Sequence, residues 1–155
     1  MISLIPVFVL VILDRIFKIL AEKYLAAGQL VVLIPHVFGL QLLQGGNTGA
    51  AFGMLSGHTG LLSAVSAVFS AALLYLLIRK EFVSKWVKAA FIMVTAGALG
   101  NLYDRLFIHS VTDYCVFLFM DFPIFNFADC LVDIGVAILV ISIFRSKEEE
   151  SLFVQ

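Results

Sequence analysis

Asp14, Asp104, Asp113, Asp129 and Asp133 all lie within or beside apolar sequence. A carboxylate near the centre of a membrane helix costs about 2.5–3.5 kcal/mol on insertion scales, so acids kept there point to pairing or to function. Two such groups held close together can activate water. One takes a proton from the water while the other, protonated, polarises a carbonyl; neighbouring carboxylates share one proton because ionising both is unfavourable. Asp113, in the context Val-Thr-Asp-Tyr, and Asp129, preceded by Phe-Asn-Phe-Ala, are the candidates for this pair. Spacing alone leaves the pairing open. Serine and metallo-peptidase chemistry is disfavoured, since neither GxSxG nor HExxH occurs. His36, His58 and His109 stand apart with no metal-ligand spacing, and Cys115 and Cys130 lack the CxxC pattern of a zinc or redox site. Residue 130 points about 100° away from 129 on a helix, so two free thiols are expected rather than a disulfide.

The elements that must position these groups follow from composition. The 155 residues are 62% hydrophobic and 14% charged, with mean hydropathy +1.08. Such a chain cannot cover a globule with polar surface, so lipid is part of its solvent. A net charge of −1 offers no field for nucleic acid. One domain, residues 1–155, is expected, with apolar segments at about 2–20, 60–78, 86–103 and 127–144, each near the length that spans hydrocarbon. A cleaved signal peptide is disfavoured for the first segment. It has no Lys or Arg ahead of its apolar run, and Asp14, Arg15 and Lys18 fall inside it. The fold class read from this pattern is an all-α membrane protein of four transmembrane helices, with a small extracytoplasmic β-rich surface element and an interfacial segment.

Basic residues orient the chain. Arg79, Lys80, Lys85 and Lys88 surround the second connection and Arg145 and Lys147 follow the last helix, which puts both termini in the cytoplasm. The first and third connections then face outward. Residues 29–44 hold two apolar, β-prone runs separated by Pro35 and Gly39, the mark of a hairpin or small sheet at the membrane surface. Residues 107–125 are apolar and aromatic but too interrupted to span, and read as an interfacial segment; the tail from Lys147 is polar, acidic and expected to be mobile. In this arrangement Asp14, Asp104, Asp113 and Asp129 gather at the outer interface, with Asp104 closing the third helix. Asp133 lies one turn deeper, about 6 Å along the helix from Asp129.

Five blocks now stand in order: Asp14-Arg15-Ile16-Phe17-Lys18; Asn47-Thr48-Gly49-Ala50-Ala51-Phe52-Gly53; Gly97-Ala98-Leu99-Gly100-Asn101-Leu102-Tyr103-Asp104-Arg105; Val111-Thr112-Asp113-Tyr114; and Pro123-Ile124-Phe125-Asn126-Phe127-Ala128-Asp129. Over nearly its whole length the chain resembles the bacterial lipoprotein signal peptidases (signal peptidase II). The resemblance implies a membrane aspartic endopeptidase that uses no metal or organic cofactor. It would cut the signal peptide from prolipoproteins just before the diacylglyceryl-modified cysteine, in the bacterial cytoplasmic membrane, with the active site facing the extracytoplasmic side. Prolipoproteins and membrane lipids are the implied partners, nucleic acid is not one, and a monomer is expected. Asp113 and Asp129 match the catalytic aspartates. Asp14, Lys18, Asn47, Gly49, Asn101, Asp104, Arg105, Asn126 and Ala128 match positions that shape the site or hold substrate. Tyr114 departs from a usual Phe, and Asp133 adds a carboxylate where an apolar or small polar residue is commoner.

Plainer roles remain open for the same residues. Asp14 and Lys18, four apart on one helix face, suit a neutralising pair. Asp104 and Arg105 suit a helix end that meets water, Asn47 and Gly49 a turn, Asn101 and Asn126 caps or helix glue, Gly97 and Gly100 close packing. Asp133 is expected to face inward, as a neutral acid or paired with Lys18. Other classes fit less well. A small transporter or proton channel would place its acids nearer the midplane, and a presenilin-type protease would need a GxGD partner that is absent.

Overall fold

The computed structural model describes residues 4–26, 28–49, 59–79, 81–82 and 84–145. Residues 50–53 of the second block, Lys80, His58 and the tail from Lys147 fall outside them. Four long helices dominate: α1 (Leu4–Tyr24), α2 (Thr59–Arg79), α3 (Lys85–Phe107) and α4 (Phe127–Arg145). A three-stranded antiparallel sheet, β1 (Val31–Ile34), β2 (Phe38–Leu40) and β3 (Cys115–Phe117), takes strand order β1-β2-β3.

Each helix covers about 30 Å at 1.5 Å per residue. α2 and α4 are apolar enough as well as long enough to cross a membrane, each with a mean hydropathy of 2.3 in its best window. α1 and α3 match them in length but carry charges. Polarity is inverted relative to a protein built for water. Lys18 and Asp104 are 0% exposed and Asp14 1%, whereas Phe8, Val68 and Phe144 are 67%, 72% and 82% exposed. Lipid solvates the outside of this molecule, and its ions solvate one another inside.

Helix α3 is the hub, packed against α1, α2 and α4. Its seam with α4 is built from missing side chains. A Cβ on Gly97 would collide with the Ala128 carbonyl oxygen, and one on Gly135 would lie 2.6 Å from Val94 Cγ2 and 2.9 Å from the Ala90 carbonyl. Pairing of 97 with 128 and of 90 with 135 makes α3 and α4 antiparallel, and the bare backbones set their separation.

Two boundaries differ from the sequence reading. α1 runs a turn further, to Tyr24, and α3 continues past Tyr103 to Phe107. Asp104 therefore sits inside the last turn of α3 instead of closing it, because buried Lys18 and part-buried Arg15 from α1 hold its carboxylate there. The hairpin of residues 29–44 forms as expected, turning at residues 35–37, with His36 in the left-handed region at φ 59°. The segment 107–125 is more than interfacial padding: β3 pairs with β2 through Phe38–Phe117, Gly39–Val116 and Leu40–Cys115. Backbone N–H and C=O groups near lipid need partners, and the sheet supplies them.

Gly97→Leu should cost about 2 kcal/mol by overpacking the α3–α4 seam. Thermal unfolding in detergent measures it, with Gly60→Leu as the control, since a Cβ at Gly60 meets nothing within 4 Å.

Candidate active site

The site forms where the C-terminal ends of α1 and α3, the N-terminal end of α4 and the sheet connections converge. Its foundation is ionic. Lys18 Nζ lies 2.8 Å from Asp14 Oδ2 and 2.9 Å from Asp104 Oδ2, and donates to Asn101 Oδ1 at 3.0 Å. Arg15 Nη1 holds the other Asp104 oxygen at 3.0 Å. The neutralising-pair reading of Asp14 and Lys18 is therefore correct but incomplete, because the pair extends across helices. Asp104 does not meet water.

Asp14 also reaches α4. Its Oδ1 accepts from the Ala128 N–H at 3.0 Å, one of the donors a helix leaves unsatisfied in its first turn. The next donor is met by the reciprocal cap around Asn126: the Asp129 N–H donates to Asn126 Oδ1 and the Asn126 N–H to Asp129 Oδ2, both at 3.0 Å. Asp129 is thus fixed by the helix terminus that it caps. Its other oxygen, Oδ1, accepts from Asn101 Nδ2 at 2.8 Å.

Asp113 comes from the segment between α3 and β3. Asn126 Nδ2 donates to its Oδ1 at 2.6 Å and Asn47 Nδ2 to its Oδ2 at 2.9 Å. Asn126 therefore touches Asp113 with its side chain and Asp129 with its backbone and its cap. The Asn126 amide also donates to Asn101 Oδ1 at 3.2 Å, which closes a network around both carboxylates. Burial, then the nearby Asp129 charge, push the Asp113 carboxyl up to about 6, against the hydrogen bonds from Asn47 and Asn126.

Asn47 fills both roles open to it. Its Oδ1 accepts from the Gly49 N–H at 2.9 Å, a turn, while its amide holds Asp113. Arg105 spans the mouth, donating to the Gly49 carbonyl at 3.3 Å and the Asn101 carbonyl at 3.5 Å. Gly100 lets Asp14 approach, since a Cβ there would lie 2.6 Å from Asp14 Oδ2. Ala128 is fully buried, at 0% exposure.

Asp133 departs from expectation. It is exposed, not inward-facing. α4 packs through Ala128, Leu131 and Gly135, and residue 133 lies two positions, roughly 160–200°, from the latter two on the helix. Lys18 meets Asp14, Asp104 and Asn101 instead. The inward placement and the Lys18 pairing both fall with the burial they assumed. Cys115 and Cys130 are free, and burial pushes the Cys115 thiol up to about 12, away from nucleophilic use. Among the described residues, no group of three or more His, Cys, Asp and Glu converges to hold a metal ion. Arg15, Glu22 and Thr112 join the network although the sequence reading gave them no role. Arg15 and Glu22, seven apart on one helix face, were the available signal.

Comparison with known proteins reaches the whole assembly. The family described as Signal peptidase (SPase) II matches residues 6–145. The lipoprotein signal peptidase of Clostridium novyi (strain NT) is 36% identical over 138 residues, covering 87% of this chain and 92% of that protein. That of Pseudomonas aeruginosa (strain PAO1) is 36% identical over 144 residues, covering 88% and 84%. A solved bacterial membrane enzyme superposes with a TM-score of 0.84 at 30% identity, covering 96% of this chain and 93% of that one.

Lys18→Met should cost about 3–5 kcal/mol, since it leaves buried Asp14 without a countercharge. Adding Asp14→Asn should recover a large part, because Asn keeps an oxygen for the Ala128 N–H. Equilibrium unfolding of the single and double variants in detergent checks this.

Proposed function

The chain belongs to the Signal peptidase (SPase) II family, and on that premise we propose that it is an aspartic endopeptidase in which Asp113 and Asp129 activate water to release the signal peptide from diacylglyceryl prolipoproteins. The observation that carries this reading is Asn126, which contacts both carboxylates and holds them in one frame. Four membrane-crossing helices support the frame in a single domain, with both termini in the cytoplasm. The site then opens at the outer surface of the cytoplasmic membrane.

Asp113 keeps its proton up to about pH 6 and donates to the scissile carbonyl oxygen, while ionised Asp129 takes a proton from water. The water oxygen bonds to the carbonyl carbon, the carbon–nitrogen bond breaks as Asp129 passes its proton to the departing amine of the lipidated cysteine, and the new carboxyl group returns a proton to Asp113. Asn101, which holds one Asp129 oxygen, leaves a lone pair free for water. Arg105, on the rim beside Gly49, supplies donors for substrate carbonyls. Its loss should raise KM more than it lowers kcat.

Asp113→Asn and Asp129→Asn should each abolish cleavage of a purified diacylglyceryl prolipoprotein while leaving substrate capture intact. Near-normal turnover in either variant would remove the dyad, and a cut elsewhere than before the lipidated cysteine would remove the substrate assignment. In the wild type, kcat/KM should fall as pH rises through about 6, because Asp113 then ionises and no acid remains. A rate that climbs through that range would reverse the two roles. Topology is tested with single cysteines at Gln44 and Glu81 in a chain lacking Cys115 and Cys130: an impermeant thiol reagent applied to spheroplasts should label the first and spare the second.

A further inference from the structure

Asp113 is held by Asn47 and Asn126, but its carboxylate is only as fixed as the backbone that presents it. On one side, Val111 and Asn47 exchange backbone hydrogen bonds at 2.8 and 2.9 Å. The residue between, Thr112, is fixed by a closed ring of polar contacts. Its N–H donates to Asp104 Oδ2 at 3.2 Å and its hydroxyl to Glu22 Oε1 at 2.7 Å. Glu22 Oε2 lies 3.5 Å from Arg15 Nη2, and Arg15 Nη1 returns to Asp104 Oδ1 at 3.0 Å.

We infer that Thr112 and Glu22 are positioning residues for the reaction: the ring Asp104–Arg15–Glu22–Thr112 sets the direction in which the chain presents Asp113. The inference rests on the dyad reading above. Three features carry it. Thr112 is buried, at 7% exposure, so its hydroxyl has little access to water as a substitute partner. It immediately precedes Asp113, so rotation of its backbone displaces the carboxylate directly. The ring also draws on two separate elements, α1 and α3, so the presenting segment moves only if those helices do. Arg15 is further confined by the Tyr103 ring, 5.8 Å from its guanidinium carbon to the centroid.

Neither side chain bonds to the carboxylates of the proposed dyad, so both act on kcat through geometry and not on substrate capture. Thr112→Val keeps the shape and removes the donor. With purified enzyme and a diacylglyceryl prolipoprotein, it should lower kcat about tenfold with KM held within about twofold, and Thr112→Ser should restore at least half of the turnover. Glu22→Ala, at a half-exposed position outside the core, should reproduce the loss in a chain whose Thr112 is intact. Glu22→Gln, which keeps an acceptor oxygen for Thr112, should retain most of the rate. Wild-type kcat in Thr112→Val, or equal impairment in Thr112→Val and Thr112→Ser, overturns the role of the hydroxyl. If Thr112→Val does not accumulate folded, unchanged kcat in Glu22→Ala overturns it alone. Asp113→Asn measured in parallel separates the two levels. An inactive Asp113→Asn beside an unimpaired Thr112→Val removes the ring alone, whereas an active Asp113→Asn removes the dyad beneath it.

Discussion

Lys18 brings a positive charge to a point where no side-chain surface remains exposed, and Asp14 and Asp104 meet it there at 2.8 and 2.9 Å. Removing ions from water is expensive, and their mutual attraction offsets that cost only when the geometry is good and the remaining donors and acceptors are matched. Here they are. Asp14 takes the Ala128 N–H, Asp104 takes Arg15 and the Thr112 N–H, and Lys18 spends a further donor on Asn101. These matches tie α3 and α4 to α1, and the Thr112 segment to α3. The ionic centre is what brings α3, α4 and the Asp113 segment to one place.

Lipid explains why such a centre is tolerable. With apolar side chains outward on α1, α2 and α4, little hydrophobic drive remains to press helices together. Close packing at Gly97 and Gly135 and polar contacts at the helix ends take over that task. The sheet follows the same logic: its strands pair with one another and, at Cys115, with Phe125, while Asn47 pairs with Val111 beside it, so much of this backbone finds partners within the protein.

Asn126 converts this scaffold into a site. One residue caps α4, receives the reciprocal cap from Asp129 and donates to Asp113. An aspartate there would add a third negative charge, and a serine would lack the second donor that reaches Asn101. The amide suits the position because it both accepts and donates.

Much of this was legible in the residues. Hydropathy and length marked the four helices, because a long apolar run expresses its helical preference locally. The paired β-prone runs around Pro35 and Gly39 marked the hairpin, and the ordered blocks marked the family. Every residue singled out from those blocks lies in the network or packs against it. What stayed hidden depended on distance along the chain. The Asp14 contact with Ala128 spans 114 residues and the Lys18 contact with Asn101 spans 83, and no periodicity encodes such meetings. β3 was hidden because an edge finds its partner only after the helices have set the segment's ends. Asp133 was misread because its sequence neighbours are apolar on all sides, and only the Leu131–Gly135 stripe, chosen by packing on α3, decides which way α4 faces. Composition and local pattern determined the solvent, the elements and the candidate acidic groups; side-chain packing between helices decided which of those groups meet, because that depends on rotation and depth and not on the order of residues.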